Sequence, residues 1–276
     1  MSSAREKIIF FGNGALADYA LAVLSKHFEI VFHARTREDL EQARELRAKN
    51  PKIHGVLASF GVLIPGTVLE VFEPEGILNI HPSLLPLHRG ASPIESAILD
   101  GCSEFSVSVM KLVKAMDAGP VYYQATFSSA EIAEMSGSEL VSGLIPEKLA
   151  IYQVLAETGA RWICEHLTDL PEPVLQDDSR ATFCGKLDKS MGVLTPEIDS
   201  AEKTLRKIIA FAGFPKAKCE FFGINCIIHG AHITKPGETA VLEMPCADGQ
   251  ALAINSLQPE GRKIMDAKSF VNGYRK

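Results

Sequence analysis

Short apolar runs alternate with helix-forming stretches through the first hundred residues, and no other feature of the sequence limits the fold so tightly. Residues 7–12 (KIIFFG), 30–34, 55–59 and 77–81 read as strands, and residues 15–25, 37–49 and 66–72 as the helices between them. Strands joined through helices cross over to lie parallel, and the inner strands of such βαβ units are covered on both faces. The expectation is an α/β fold with a Rossmann-like, mainly parallel sheet.

Beyond residue 90 the pattern changes twice. Ser92-Pro93-Ile94-Glu95 supplies an N-cap, a proline at the first helical position and a capping-box glutamate, and Gly101 supplies the stop, so a helix is expected over 93–100. Residues 106–113 and 121–127 alternate and are β-branched, which predicts an antiparallel addition to the sheet. One long helix is expected over about 138–168, ending at Leu170-Pro171. The stretch PEPVLQDDSRA that follows is proline-rich, charged and without apolar period, as a linker is. After it come a helix over 201–211 and strand-like runs over 217–222, 224–233, 240–244 and 251–257, separated by Gly/Pro turns. The division expected is an N-terminal domain over 1–170, a linker over 171–182 and a small OB-like β-barrel over 183–276.

Composition narrows the function. No stretch approaches the roughly 20 apolar residues of a membrane helix, and MSSAREKIIFF has a charged start running into a short strand, unlike a secretory leader; a cytoplasmic protein without a membrane partner is expected. Cys102, Cys164, Cys184, Cys219, Cys226 and Cys246 have no C-x-x-C spacing, which predicts reduced thiols and no metal site. The net charge of -6 is uneven: residues 1–182 hold 15 basic against 24 acidic side chains, and residues 183–276 hold 13 against 10. A mildly basic C-terminal part suits either a polyanion partner or an ordinary solvated surface.

Chemistry concentrates in ILNIHPSLLPLHRG, residues 77–90. Asn79 and His81 are two positions apart on a strand, so they share a face about 7 Å apart while Leu78 and Ile80 point the other way. Strand ends in parallel α/β sheets open on the ligand crevice. Pro82 and Pro86 stiffen the exit, and Ser83 can hydrogen-bond the turn. Taken alone the pair fits a satisfied strand end as well as a ligand site. Gly12-Asn13-Gly14-Ala15-Leu16-Ala17 has the G-x-G-x-x-A form of a dinucleotide turn, but no acidic residue ends the second strand. Arg35 leaves a 2′-phosphate open, and the helix-start amides leave open a phosphate of another substrate.

NIHPSLLPLHRG, followed by Met116-Asp117-Ala118-Gly119, resembles the signature of the folate-dependent formyltransferases, an N-x-H-x-S-L-L-P segment with a later D-x-G. Ser59-Phe60-Gly61-Val62-Leu63-Ile64-Pro65 is similar to their pterin-pocket segment, and Arg89-Gly90-Ala91-Ser92-Pro93-Ile94 to the R-G-A-x-P-I after their catalytic strand. Lys186-Leu187, Ile209-Ala210-Phe211 and Phe214-Pro215-Lys216-Ala217 resemble the C-terminal domain of the methionyl-tRNA formyltransferases. The resemblance implies Asn79, His81 and Asp117 as catalytic residues. It implies folate or substrate contacts from Phe60, Gly61, Val62, Leu63 and Ile64, from Ser83, Leu84, Leu85 and Pro86, and from Arg89 and Met116. It also implies 10-formyltetrahydrofolate as co-substrate with no metal. Initiator Met-tRNA is the implied partner, reached through the crevice and the C-terminal domain, with no obligate protein partner.

The residue types suit formyl transfer, in which an amine attacks the formyl carbon and the carbonyl oxygen gathers negative charge. Asn79 offers an amide donor and a protonated His81 a charged one, each worth about 3–4 kcal/mol in an oxyanion site. On the family pattern Asp117 favours the imidazolium and relays the proton. Ser83 lacks a G-x-S-x-G elbow and reads as a positioning residue. Residues 35–53 hold one charged helix without the basic loop of the tRNA enzymes, so an amino sugar on a nucleotide remains an alternative acceptor. A non-catalytic folate or nucleotide binder is a third reading, and it requires that Asn79, His81 and Asp117 lie apart.

Overall fold

A computed structural model describes residues 5–275; the first four residues of the MSSAREKIIFF reading lie outside them. The chain divides into two compact units, one built from residues up to 94, 104–138 and 149–185, the other from 95–103, 139–148 and 186 onward.

The first unit holds strands β1 (Lys7–Phe11), β2 (Glu29–Ala34), β3 (His54–Leu57), β4 (Ile77–His81), the short β5 (Arg89–Gly90), β6 (Glu104–Lys111) and β7 (Val121–Ser128). Helices α1 (Ala15–His27), α2 (Asp39–Lys49) and α3 (Gly66–Leu69) connect the first four, and α5 (Ser129–Ser136) follows β7; α4 (Pro93–Leu99), after β5, starts in this unit and continues as part of the second. The main sheet runs in the order β2-β1-β3-β4-β6-β7. Its first four strands are parallel and its last two antiparallel, as the two sequence textures predict. The chain steps from β1 to β2 on one side and returns to β3 on the other, which opens a crevice at the carboxyl ends of these strands.

Burial follows the pattern. Ile8, Ile9, Phe10 and Phe11 are wholly buried, as an inner strand covered on both faces must be. One core layer joins Phe11, Leu57, Phe60, Ile64, Phe72 and Ile77 to Leu40 and Ala43 of α2. On the opposite face Gly159 of α6 (Lys148–His166) lies against Ile80 and Val107.

The single helix expected over 138–168 is instead a hairpin of β8 (Leu140–Val141) and β9 (Ile145–Pro146) followed by α6, while α5 forms from residues left unassigned in the sequence. Local chemistry explains the difference. Ser128 and Glu131 close a capping box on α5, and Gly137, in the left-handed region, ends it. Gly143 turns the hairpin, and Pro146 removes a helical donor before α6 begins.

Strand β10 (Phe183–Cys184) pairs with β5, so residues near the end of the first unit return to the segment after β4. The second unit carries α7 (Ala201–Ala210), a five-stranded antiparallel sheet of β11 (Lys218–Phe221), β12 (Ile224–Ile233), β13 (Glu243–Pro245), β14 (Ala251–Pro259) and β15 (Met265–Asp266), and α8 (Ala267–Tyr274). Ala201, Leu205, Ile208 and Ile209 bury one side of α7, the spacing of an amphipathic helix. Among the described residues no helix is long and apolar enough to cross a membrane.

Candidate active site

All five residues of β4 are buried, and the pleat divides them. Asn79 stands opposite Met110 of β6 and His81 opposite Ser108, on one face, whereas Ile80 turns to α6. The Asn79 side chain makes no hydrogen bond to a described residue although it is only 4% exposed. No fully enclosed side-chain polar atom among the described residues lacks a partner, so this amide opens on the crevice.

The segment after His81 is fastened to β6 and β7. Ser83 Oγ donates to the Leu87 carbonyl at 2.7 Å, and Ser108 Oγ donates to the Ser83 carbonyl at 2.6 Å while accepting from the Leu85 amide at 3.2 Å. Gln124 Nε2 donates to the Leu85 carbonyl at 2.8 Å. The Ser83 hydroxyl is thereby engaged with the turn, which fits a positioning residue.

Asp117 reaches the same place from the loop after β6. Its Oδ1 lies 3.7 Å from His81 Nδ1, and its Oδ2 accepts from the Gly90 amide at 2.8 Å. Two glycines permit this convergence. At Gly90 (φ 122°) a side chain would meet the Cys184 carbonyl at 2.2 Å, and at Gly119 it would meet the Lys111 carbonyl at 1.8 Å.

The residue that locks the loop is one the sequence did not single out. Gln176 Nε2 donates to the carbonyls of Asp117 (2.8 Å) and Gly119 (2.7 Å), while its Oε1 accepts from Arg89 Nε (3.0 Å) and Nη2 (2.7 Å). Arg89 is buried and also holds Asp178 at 2.7 Å. Arg89 therefore braces the Asp117 loop through Gln176. Gln176 and Asp178 fall in PEPVLQDDSRA, whose composition signals only a connecting segment, so no motif could have found them.

Electrostatics reverse one expectation. Burial is the largest influence on His81 and lowers its pKa; Asp117 and then the His88 carbonyl pull the other way without prevailing. The imidazole is therefore neutral at neutral pH, not the protonated donor expected from the sequence. Its Nε2 is 3.1 Å from the His88 carbonyl, which can only accept, so the proton resides on Nε2 and Nδ1 carries a lone pair. At 3.7 Å from the carboxylate Nδ1 makes no hydrogen bond there, and it can take up a proton beside a charge that stabilises the product.

The remaining predicted residues divide by exposure. Phe60 and Ile64 are core side chains, Val62 packs on the same layer and Leu85 joins Met110 and Val121, so residues 60–64 can offer a ligand mainly backbone. Leu63 and Met116 are 69% and 61% exposed, Leu84 and Gly61 are exposed, and Pro86 is half-buried. In the Gly12–Gly14 turn, Asn13 donates to the Arg35 carbonyl and Arg35 Nε donates to His33, which leaves Arg35 tied to its own neighbours. The described residues contain no cluster of three or more His, Cys, Asp or Glu able to hold a metal.

The family model described as formyl transferase matches residues 13–140, and that described as formyl transferase, C-terminal domain, matches residues 196–275. The chain is 33% identical over 263 residues to the methionyl-tRNA formyltransferase of Carboxydothermus hydrogenoformans, covering 90% of this chain and 80% of the relative. Its fold resembles HypX from Aquifex aeolicus in complex with tetrahydrofolic acid (TM-score 0.70, 19% identity), covering 98% of this chain and 47% of that one, so it spans about half of HypX. It also resembles methionyl-tRNA formyltransferase from Clostridium thermocellum (TM-score 0.63, 16% identity), covering 95% and 99% of the two chains.

Proposed function

The chain belongs to the methionyl-tRNA formyltransferase family and is a formyltransferase, and from that premise we propose that it transfers the formyl group of 10-formyltetrahydrofolate to the amino group of initiator Met-tRNA. The reading carries furthest on one observation: the open Asn79 amide, the His81 Nδ1 lone pair and the Asp117 carboxylate converge on the exit of β4. The acceptor is supported by the relative's name, and the cytoplasm suits the free cysteines.

A formyl carbonyl fits the nearly buried amide that lacks a partner. When the acceptor amine attacks the formyl carbon, a C–N bond forms and the carbonyl electrons move to oxygen, where Asn79 donates a hydrogen bond. Asp117 and His81 Nδ1 accept the proton of the attacking nitrogen, and the imidazolium so formed is stabilised by Asp117. Return of that proton to N10 lets the C–N10 bond break and releases tetrahydrofolate. The backbone of 60–64, the 83–86 segment and Met116 are the proposed folate contacts, with Arg89 acting through Gln176. Catalysis is assigned to residues 1–170 and acceptor-stem binding to residues 183–276 beyond the 171–182 connection, with the mildly basic C-terminal part meeting phosphate.

The test is incubation with 10-formyltetrahydrofolate and either charged initiator tRNA or nucleotide-linked amino sugars, following release of tetrahydrofolate. Formylated Met-tRNA is expected. Formylation of the sugars alone would reassign the acceptor, and absence of transfer to either would remove the proposed function.

A further inference from the structure

Cys219 and Cys226 are partners across the hairpin of β11 and β12. The hairpin turns on Phe222 and Gly223, both in the left-handed region (φ 54° and 76°), which is a two-residue turn of the I′ kind and fixes the register of everything behind it. Phe221 faces Ile224, Glu220 faces Asn225 and Cys219 faces Cys226. Facing residues of an antiparallel pair point to one side of the sheet, so the two thiols share a face. Cys219 is near enough for its charge to act on Cys226.

The hydrogen bonds around the pair define the position. The Ile228 amide donates to the Ala217 carbonyl at 2.8 Å, whereas the Asn225 carbonyl turns to the other side and accepts from the Glu260 amide at 2.9 Å. Alternate residues of β12 therefore bond to β11, and Cys226, two positions before Ile228, is one of them. At such a position the Cα atoms are about 5.5 Å apart, inside the roughly 4.4–6.8 Å that a disulfide spans. The Cβ atoms start near the upper end of about 4.5–5.5 Å and must close to about 3.8 Å, so the bond draws the strands together and stays easily reduced.

We propose that Cys219 and Cys226 form a reversible disulfide when the chain meets a disulfide oxidant such as oxidised glutathione. Cys219 is partly exposed and serves as the entry thiol; Cys226 is buried and resolves. The Cys219 thiolate attacks one sulfur of the oxidant, whose S–S bond breaks and releases one glutathione thiolate. Cys226 then gives up its proton and attacks the Cys219 sulfur, the new bond closes within the hairpin, and the second glutathione leaves. Two electrons pass to the oxidant, and the two thiol protons end on the two glutathiones. Burial pushes both thiols up, Cys226 to about 11, so the pair rests protonated at neutral pH and exchanges slowly. Place supplies the selectivity: Cys184 faces Gly90, and Cys102, Cys164 and Cys246 lie outside the strands. The link closes just behind Phe222, which is half-exposed and stacks on Phe270 of α8, so it stiffens the tip of the hairpin.

Lys218 and Lys235 bound one tryptic peptide that holds both thiols. The full chain is equilibrated in glutathione buffers of rising oxidised fraction, quenched with acid, unfolded, alkylated and mapped by mass. In the oxidised buffers that peptide should lose both alkyl groups together and be lighter by two hydrogens, dithiothreitol should restore them, and Cys102, Cys164, Cys184 and Cys246 should stay alkylated. Cys226→Ser should stop at one glutathione on Cys219, and Cys219→Ser should leave Cys226 fully alkylated. Both thiols alkylated at every ratio, a lasting glutathione adduct in the wild type, or a link to any other cysteine overturns the proposal. A bond that forms only in denaturant overturns it as well.

Discussion

Two buried polar clusters, one in each unit, solve opposite problems. Around Asp199, which is 2% exposed, three donors converge: Thr195 Oγ1 donates at 2.8 Å, Lys203 Nζ lies at 2.7 Å and Lys207 Nζ adds a further charged bond. Burial alone would push this carboxyl up, but the bonds from Lys203, Lys207 and Thr195 outweigh it and bring its pKa to about 2. Around His81 the same ingredients are left incomplete. Asn79 has no hydrogen-bond partner among the described residues, the His81 lone pair stands 3.7 Å from Asp117, and burial disfavours the ring's charge. Saturated polar groups hold a fold together, whereas unsatisfied ones held rigidly apart by Gln176 and Arg89 keep capacity for a reacting group.

That contrast can be broken from either side. The largest effect is expected at the incomplete cluster, where Asn79→Ala should lower kcat by two or more orders of magnitude while calorimetric affinity for tetrahydrofolate hardly changes. Near-normal turnover would show that the open amide has no role in the reaction. Asp117→Asn should cost about a hundredfold in kcat and also shift the pH profile. Because Asp117 raises the His81 pKa against burial, its neutralisation should move the acidic limb of the rate profile to still lower pH. A limb that stays in place or moves upward would contradict the pairing.

Asp199→Ala should do the reverse, lowering stability by about 3 kcal/mol in thermal melts while the activity of each folded molecule persists. Its folded pKa lies below the ordinary 3.8, so its contribution is present above 3.8 and disappears as pH falls through about 2. The smallest effect concerns His81 and stability. Its lowered folded pKa makes its contribution complete above 6.5 and progressively lost below, so His81→Gln should flatten the dependence of the melting temperature on pH below 6.5. An unchanged slope would mean that the ring is not buried neutral.

The sequence reached the sheet because period and length decide a βαβ pattern locally, and it put Asn79 and His81 on one face because two residues on one strand fix their own geometry, while their catalytic role came only with the family resemblance. Asp117 needed the family resemblance, since the 36 positions between it and His81 give no distance. Gln176 was out of reach for a plainer reason: its value lies in which carbonyls it meets after the chain returns along β5, and the surrounding composition is that of any loop. The charge state of His81 is not legible in the sequence, because a neighbouring carboxylate can be named from it whereas the depth of burial that opposes that carboxylate cannot. The helix over 138–168 failed where glycine and proline signals within it were outweighed by apolar content.

The most direct measurement is a double-mutant cycle on kcat with 10-formyltetrahydrofolate and charged initiator tRNA, comparing His81→Ala, Asp117→Asn and the pair. If imidazole and carboxylate handle one proton together, the double variant should be scarcely slower than the worse single one. Losses that multiply in full would mean that the two groups act independently, and the shared proton site would have to be abandoned.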